Sequence, residues 1–89
     1  MKLSDAKREF VRKWGTLGSA WGIPRSMAQI HALLLVSREP LSPEDVMDTI
    51  QISRRNVSVH LRDLVNWRLV TKQARLGDRK EYFLADHDV

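Results

Sequence analysis

Arg54, Arg55, Ser58 and Arg62 fall at helical spacing within one short stretch, and they set the chemistry this chain is equipped for. A guanidinium stays charged and offers a planar fork of donors. It can grip a phosphate, or the O6 and N7 atoms of guanine together. Ser53 and Asn56 sit beside this set as capping or phosphate-contacting groups, and His60 in the same stretch is a candidate phosphate contact. A second basic group, Arg75, Arg79 and Lys80, flanks Gly77-Asp78, where the acid can cap the turn or orient Arg79.

Bond-making chemistry is not expected. Ser42 and Ser53 precede helical patterns and already have capping work. Neither a glycine-rich phosphate loop nor a nucleophile elbow is present. His31, His60 and His87 share no metal-ligand spacing, and Asp86-His87-Asp88 reads as a frayed tail. Catalysis, metals and organic cofactors are therefore all absent from the expectation. The sequence has no cysteine, so disulfides are excluded and a reducing, cytoplasmic setting is the natural reading. The start runs straight into a charged amphipathic pattern without a visible signal, and no apolar run is long enough for a membrane.

The charge is unevenly spread. The net charge of the 89 residues is +4. Met1 to Ile52 carries seven Lys/Arg against six Asp/Glu, whereas Ser53 to Lys80 carries eight against two, and the remainder is acidic. Basicity concentrated in one stretch is the electrostatic footprint of a face that meets a polyanion.

These side chains need elements to hold them. Ser4 caps a first helix whose stripe Phe10, Trp14, Leu17 and Trp21 recurs at spacings of three and four. That stripe is expected to pack on the core or on a partner subunit. Gly15, Gly18 and Gly22 weaken this helix toward its end, which falls at Gly22. Pro24 fits the first turn of a second helix, apolar nearly all round through Met27, Ile30, Leu33 and Leu34, and so central and buried. His31 is expected to be partly buried on it. Ser42-Pro43-Glu44-Asp45 starts a short third helix with Val46, Met47 and Ile50 inside. Ser53 opens a fourth, over about 53–67, with Val57, Leu61, Leu64 and Val65 facing in.

From Leu69 the period becomes two. A hairpin over about 70–85 turns at Gly77-Asp78, with Val70, Ala74 and Leu76 on its apolar face. Its return strand starts at Lys80. A lone hairpin is marginal in water, so it must pack on the helices, through Val70, Tyr82 and Leu84 in this reading. Trp67 is expected in the core or against the hairpin. The fold class is thus mainly α with a small β-hairpin: one winged helix-turn-helix domain over 1–89, four helices plus wing. Its second capped helix, placed in a major groove, would turn Arg54, Arg55, Ser58 and Arg62 to base edges. The wing would lie on the adjacent minor groove or phosphates.

The ordered pieces Ile52-Ser53-Arg54-Arg55-Asn56-Val57-Ser58, Leu61-Arg62-Asp63-Leu64, Trp67-Arg68-Leu69-Val70 and Gly77-Asp78-Arg79-Lys80-Glu81-Tyr82-Phe83 resemble the MarR superfamily. With Trp21-Gly22-Ile23-Pro24-Arg25-Ser26, they look most like its GbsR-like branch. The resemblance spans roughly Phe10 to Leu84. It implies a bacterial or archaeal transcriptional regulator, most often a repressor, that binds double-stranded DNA as a homodimer and can answer to a small-molecule effector. Some GbsR-like regulators resemble choline sensors, so a cation cage of Trp14 and Trp21 is a rival to plain packing of the aromatic stripe. Two departures concern glycines that the family often has where Gln51 and Arg68 stand, so these turns are expected to be built differently. Family members also continue past the wing into dimerisation helices. This chain is then either truncated before them or a shortened relative that pairs through its first helix. A winged helix that binds protein is the alternative function, and RNA binding a weaker third.

Overall fold

The computed structural model describes residues 3–86. Helix α1 (Asp5–Ala20) starts at Ser4, whose Oγ accepts the Lys7 N–H at 3.3 Å. It ends on Gly22, held left-handed at φ 83°. The Ile23 N–H returns to the Gly18 carbonyl at 2.8 Å and the Gly22 N–H to Ser19 at 3.1 Å, the paired bonds that close a helix on glycine.

The face that α1 buries is the expected one only in part. Phe10, Leu17 and Trp21 are 37%, 55% and 82% exposed, and of the aromatic stripe only half-buried Trp14 packs against the core. Val11 and Gly15 are buried, and Gly18 sits beside them. A Cβ on Gly15 would stand 2.7 Å from Gln29 Cγ, and one on Gly18 only 2.5 Å from Ala28 Cβ. The glycines that weaken the helix in isolation are what lets it approach α2 (Arg25–Val36) so closely.

Helix α2 is the central element, and Pro24 occupies its N-cap position rather than its first helical residue. Met27, Ile30, Leu33 and Leu34 are buried on it, as the pattern predicts, and it packs on every other helix and on the second strand. His31 is half-buried with its ring edge-on to Trp14, and burial lowers its pKa from the usual imidazole value.

Helix α3 (Pro43–Ile50) opens with a reciprocal cap. Ser42 Oγ accepts the Asp45 N–H at 3.3 Å, and the Asp45 carboxylate accepts the Ser42 N–H at 3.1 Å. Three residues later α4 (Arg54–Asn66) begins at Ser53, whose Oγ accepts the Asn56 N–H at 3.2 Å. Both helices then stop on left-handed residues, Gln51 at φ 60° and Arg68 at φ 62°. The turns are therefore built in the glycine geometry after all, with side chains that strain it. That conformation costs a non-glycine residue roughly 1–2 kcal/mol, while glycine loses about 0.4–1 kcal/mol more entropy on folding. Gln51→Gly is expected to raise stability by about 0.5–1 kcal/mol in urea unfolding; an unchanged or lower midpoint would show that the turn carries no strain.

Strands β1 (Val70–Ala74) and β2 (Glu81–Ala85) pair antiparallel with Val70 opposite Ala85 and Lys72 opposite Phe83. Outside this pair, Leu41 exchanges both backbone hydrogen bonds with Phe83, at 2.9 and 2.8 Å. This pins β2 in a register that turns Phe83 and Ala85 into the core beside Val70. Tyr82 and Leu84, expected inside, are only half-buried on the other face. Lys80 precedes β2, and Leu76 lies in the loop rather than on an apolar face. Asp86 is held, not frayed: its N–H bonds the Leu69 carbonyl at 2.9 Å and its carboxylate accepts the Thr71 hydroxyl at 2.7 Å. His87 to Val89 lie outside the described residues. Among the described residues no helix is long and apolar enough to cross a membrane.

Candidate nucleic-acid interface

Helix α4 is locked on one side and free on the other. Val57, Leu61 and Leu64 are buried on the side of α4 that packs on α2, α3 and β1, which fixes the helix about its own axis. Arg55, Ser58, Val59 and Arg62 are exposed on the opposite side. Neither Arg55 nor Arg62 makes an ion pair or side-chain hydrogen bond among the described residues, so both forks are available to a ligand. Val59 was not foreseen from the sequence. It stands four residues after Arg55 and three before Arg62, a spacing that places it between them.

The remaining predicted residues divide. Arg54 leans toward α3, its guanidinium 3.4 Å from the Glu44 carboxylate, although both stay solvent-exposed. Ser53 and Asn56 are joined in the helix cap. His60 does not join the outward set. It is half-buried with Nε2 2.8 Å from Ser26 Oγ at the start of α2, and its Nδ1 is buried without a partner. A histidine so placed ties the two helices together rather than reaching outward.

The loop between β1 and β2 is organised around Asp78. Its carboxylate accepts the Lys80 N–H at 2.9 Å and the Tyr82 hydroxyl at 2.7 Å. These two bonds, the Lys80 one first, hold the Asp78 pKa below its ordinary value, while the same carboxylate raises that of Tyr82. The Arg75 guanidinium lies 4.0 Å from the Tyr82 ring centre, in cation–π range. Asp78 therefore caps the turn and makes no hydrogen bond to Arg79 among the described residues. Arg79 and Lys80 stay exposed. A groove lined by Ser58, Arg62, Asn66, Lys72 and Phe83 separates the outer face of α4 from the hairpin. Lys72 crosses to Glu81 at 3.6 Å on its wall.

On α1's side of the molecule is a different surface. An open groove of about 340 Å³ is walled by Trp14, Leu17, Trp21, Met27, His31 and Trp67, among others. Trp67, expected in the core or against the hairpin, is 55% exposed and lies outside the core. No cluster of three metal-ligating side chains occurs among the described residues.

Four helices, a three-residue turn between two capped helices, and a hairpin closing over them define a winged helix-turn-helix protein. The MarR family profile matches residues 21–81, more than half of the chain, and the chain belongs to that family. Among solved structures, one described as a transcriptional regulator superposes with a TM-score of 0.87 at 26% identity, over 91% of this chain and 56% of that one. A mutant of S. aureus MepR bound to an oligodeoxyribonucleotide gives 0.71 at 18% identity, over 92% and 61%. The S. aureus MepR–DNA complex gives 0.64 at 18% identity, with the same coverage. At that identity the MepR structures establish the fold alone. The chain spans less than two thirds of each of these three structures. No curated protein gives a significant match.

Proposed function

We propose that the chain is the DNA-binding domain of a sequence-specific transcriptional regulator, acting as a repressor. Helix α4 lies in the major groove of double-stranded DNA and the wing on the adjacent minor groove or phosphates. The observation that carries this reading is the uncommitted outer face of α4 next to a basic hairpin. Arg55, Ser58 and Arg62 point away from a core that holds the helix rigidly, and Arg75, Arg79 and Lys80 extend the same positive field. The MepR structures bound to DNA use the same fold, which supports DNA as the partner.

Arg55 and Arg62 read guanine edges in this arrangement, and Ser58 bonds an adjacent base. Val59 offers a methyl-sized apolar contact of the kind that recognises thymine. Arg54 serves as a closer partner of Glu44 and contributes less. Ser53, Asn56 and the α4 N-terminus favour a phosphate, whereas His60 supports α4 from behind. The protein acts as a homodimer. The exposed apolar groove beside the α1 stripe is the surface that a second subunit or the family's further helices would cover. Within the family, Trp21 to Ser26 and the wing keep the GbsR-like branch as the nearest resemblance. A cytoplasmic bacterial or archaeal regulator with a small-molecule effector is the corresponding setting.

Selection from a random duplex pool at near-physiological salt tests this. The expected result is an enriched inverted repeat with half-sites about one helical turn apart. Binding without enrichment, lost as salt rises, would leave only a basic surface. No binding at low salt would favour a protein-interaction module built on the same fold.

A further inference from the structure

Leu76 exposes its whole side chain, at 106% of the reference area. Single exposed leucines are ordinary on protein surfaces. What distinguishes this one is its position. The turn Arg75–Asp78 is closed by the Asp78 N–H on the Arg75 carbonyl at 3.1 Å, with Gly77 at φ 80° in its third position. Leu76 and Gly77 are thus the two corner residues, and glycine brings no side chain. Leu76 is therefore the side chain carried at the apex of the wing.

That apex is held in place. Asp78 ties the Lys80 backbone and the Tyr82 hydroxyl, and Arg75 lies back over the Tyr82 ring instead of extending past the tip. Arg79 and Lys80 follow directly on the descending side. The result is a leucine projecting from a braced loop among cations. Water gains nothing from it, and among the described residues no side chain covers it. A minor groove would: its walls are deoxyribose, its rims are phosphate, and minor-groove proteins commonly insert leucine there beside arginine and lysine.

We propose that Leu76 is the wing's contact inside the minor groove, packing on deoxyribose between backbones held by Arg79 and Lys80. The inference rests on the DNA-binding reading above and adds the residue and the kind of contact. It assigns the wing an apolar, charge-independent share of the affinity.

The test uses the full chain with a duplex recovered from the random pool and one of unselected sequence, titrated across a salt series. Leu76→Ala is expected to weaken binding about tenfold at every salt concentration while leaving the salt slope unchanged. Hydroxyl-radical protection of the flanking minor-groove sugars should be lost, and Leu76→Met should restore both. Arg79→Ala should instead reduce the salt slope by about one. Because Leu76 touches no core residue, melting temperature should not move in either leucine variant. Unchanged affinity and footprint in Leu76→Ala would overturn the proposal and leave the DNA reading standing. So would an equally altered salt slope. A wild-type chain that binds neither duplex would overturn both.

Discussion

Gly18→Ala is expected to destabilise the protein by about 1–3 kcal/mol, the cost of overpacking a close-fitted contact. The sign is the informative part. In an ordinary helix interior the same change stabilises by about 1 kcal/mol, because alanine loses less backbone freedom on folding. Here the new Cβ would lie 2.5 Å from Ala28 Cβ, a short side chain that cannot swing aside. Either α1 shifts outward from α2 or the backbone bends, and both loosen the buried Val11. The tryptophans at 14, 21 and 67 border the groove beside this contact and report it directly. Urea unfolding followed by their fluorescence measures the loss. Thr16→Ala, on an exposed position of the same helix, supplies the comparison and should move stability little or upward. A more stable Gly18→Ala would mean that the two helices are not in contact at this point.

The same residue shows where sequence reasoning reached its limit. Helix ends were legible because caps are local. Ser42 with Asp45, and Ser53 with Asn56, need only neighbours within one turn, and each forms the bond its spacing implies. The central helix was legible because it is apolar almost all round, so no choice of face was needed. Helix α1 offered two possible faces. The hydrophobic stripe outweighs a glycine pair on any apolarity scale, yet close approach to α2 depends on the small residues, a tertiary property that no window of sequence contains. The hairpin failed by one residue for a similar reason. Alternation through Glu81-Tyr82-Phe83-Leu84 is ambiguous because three neighbours are apolar, and pairing with distant Leu41 settles which of them turn inward. Within the site, arginine identities were visible but their commitments were not. Glu44 lies ten residues from Arg54, and Ser26 lies thirty-four from His60. Only the packed helices bring those partners together.

These commitments rank the arginines, and the ranking has a measurable consequence. Arg55→Ala is expected to lower affinity for the preferred duplex by about 1–3 kcal/mol, roughly five- to 150-fold, and to relax base preference at one position. Affinity for a scrambled duplex should change far less. Lys80→Ala is expected to weaken both duplexes by the same factor and to reduce the salt slope by about one, the behaviour of a phosphate contact. Arg54→Ala should fall below Arg55→Ala on the preferred duplex, because Glu44 competes for its guanidinium at 3.4 Å. The contrast depends on α4 being held about its own axis. A helix free to roll could offer either arginine to the same base, and the two variants would then be equivalent. Val57, Leu61 and Leu64 prevent that roll by burying the opposite face almost completely. Equal losses for Arg55→Ala on preferred and scrambled duplexes would place its guanidinium on phosphate. The face of α4 would then supply charge alone, and sequence preference would have to arise from groove shape sensed by the wing.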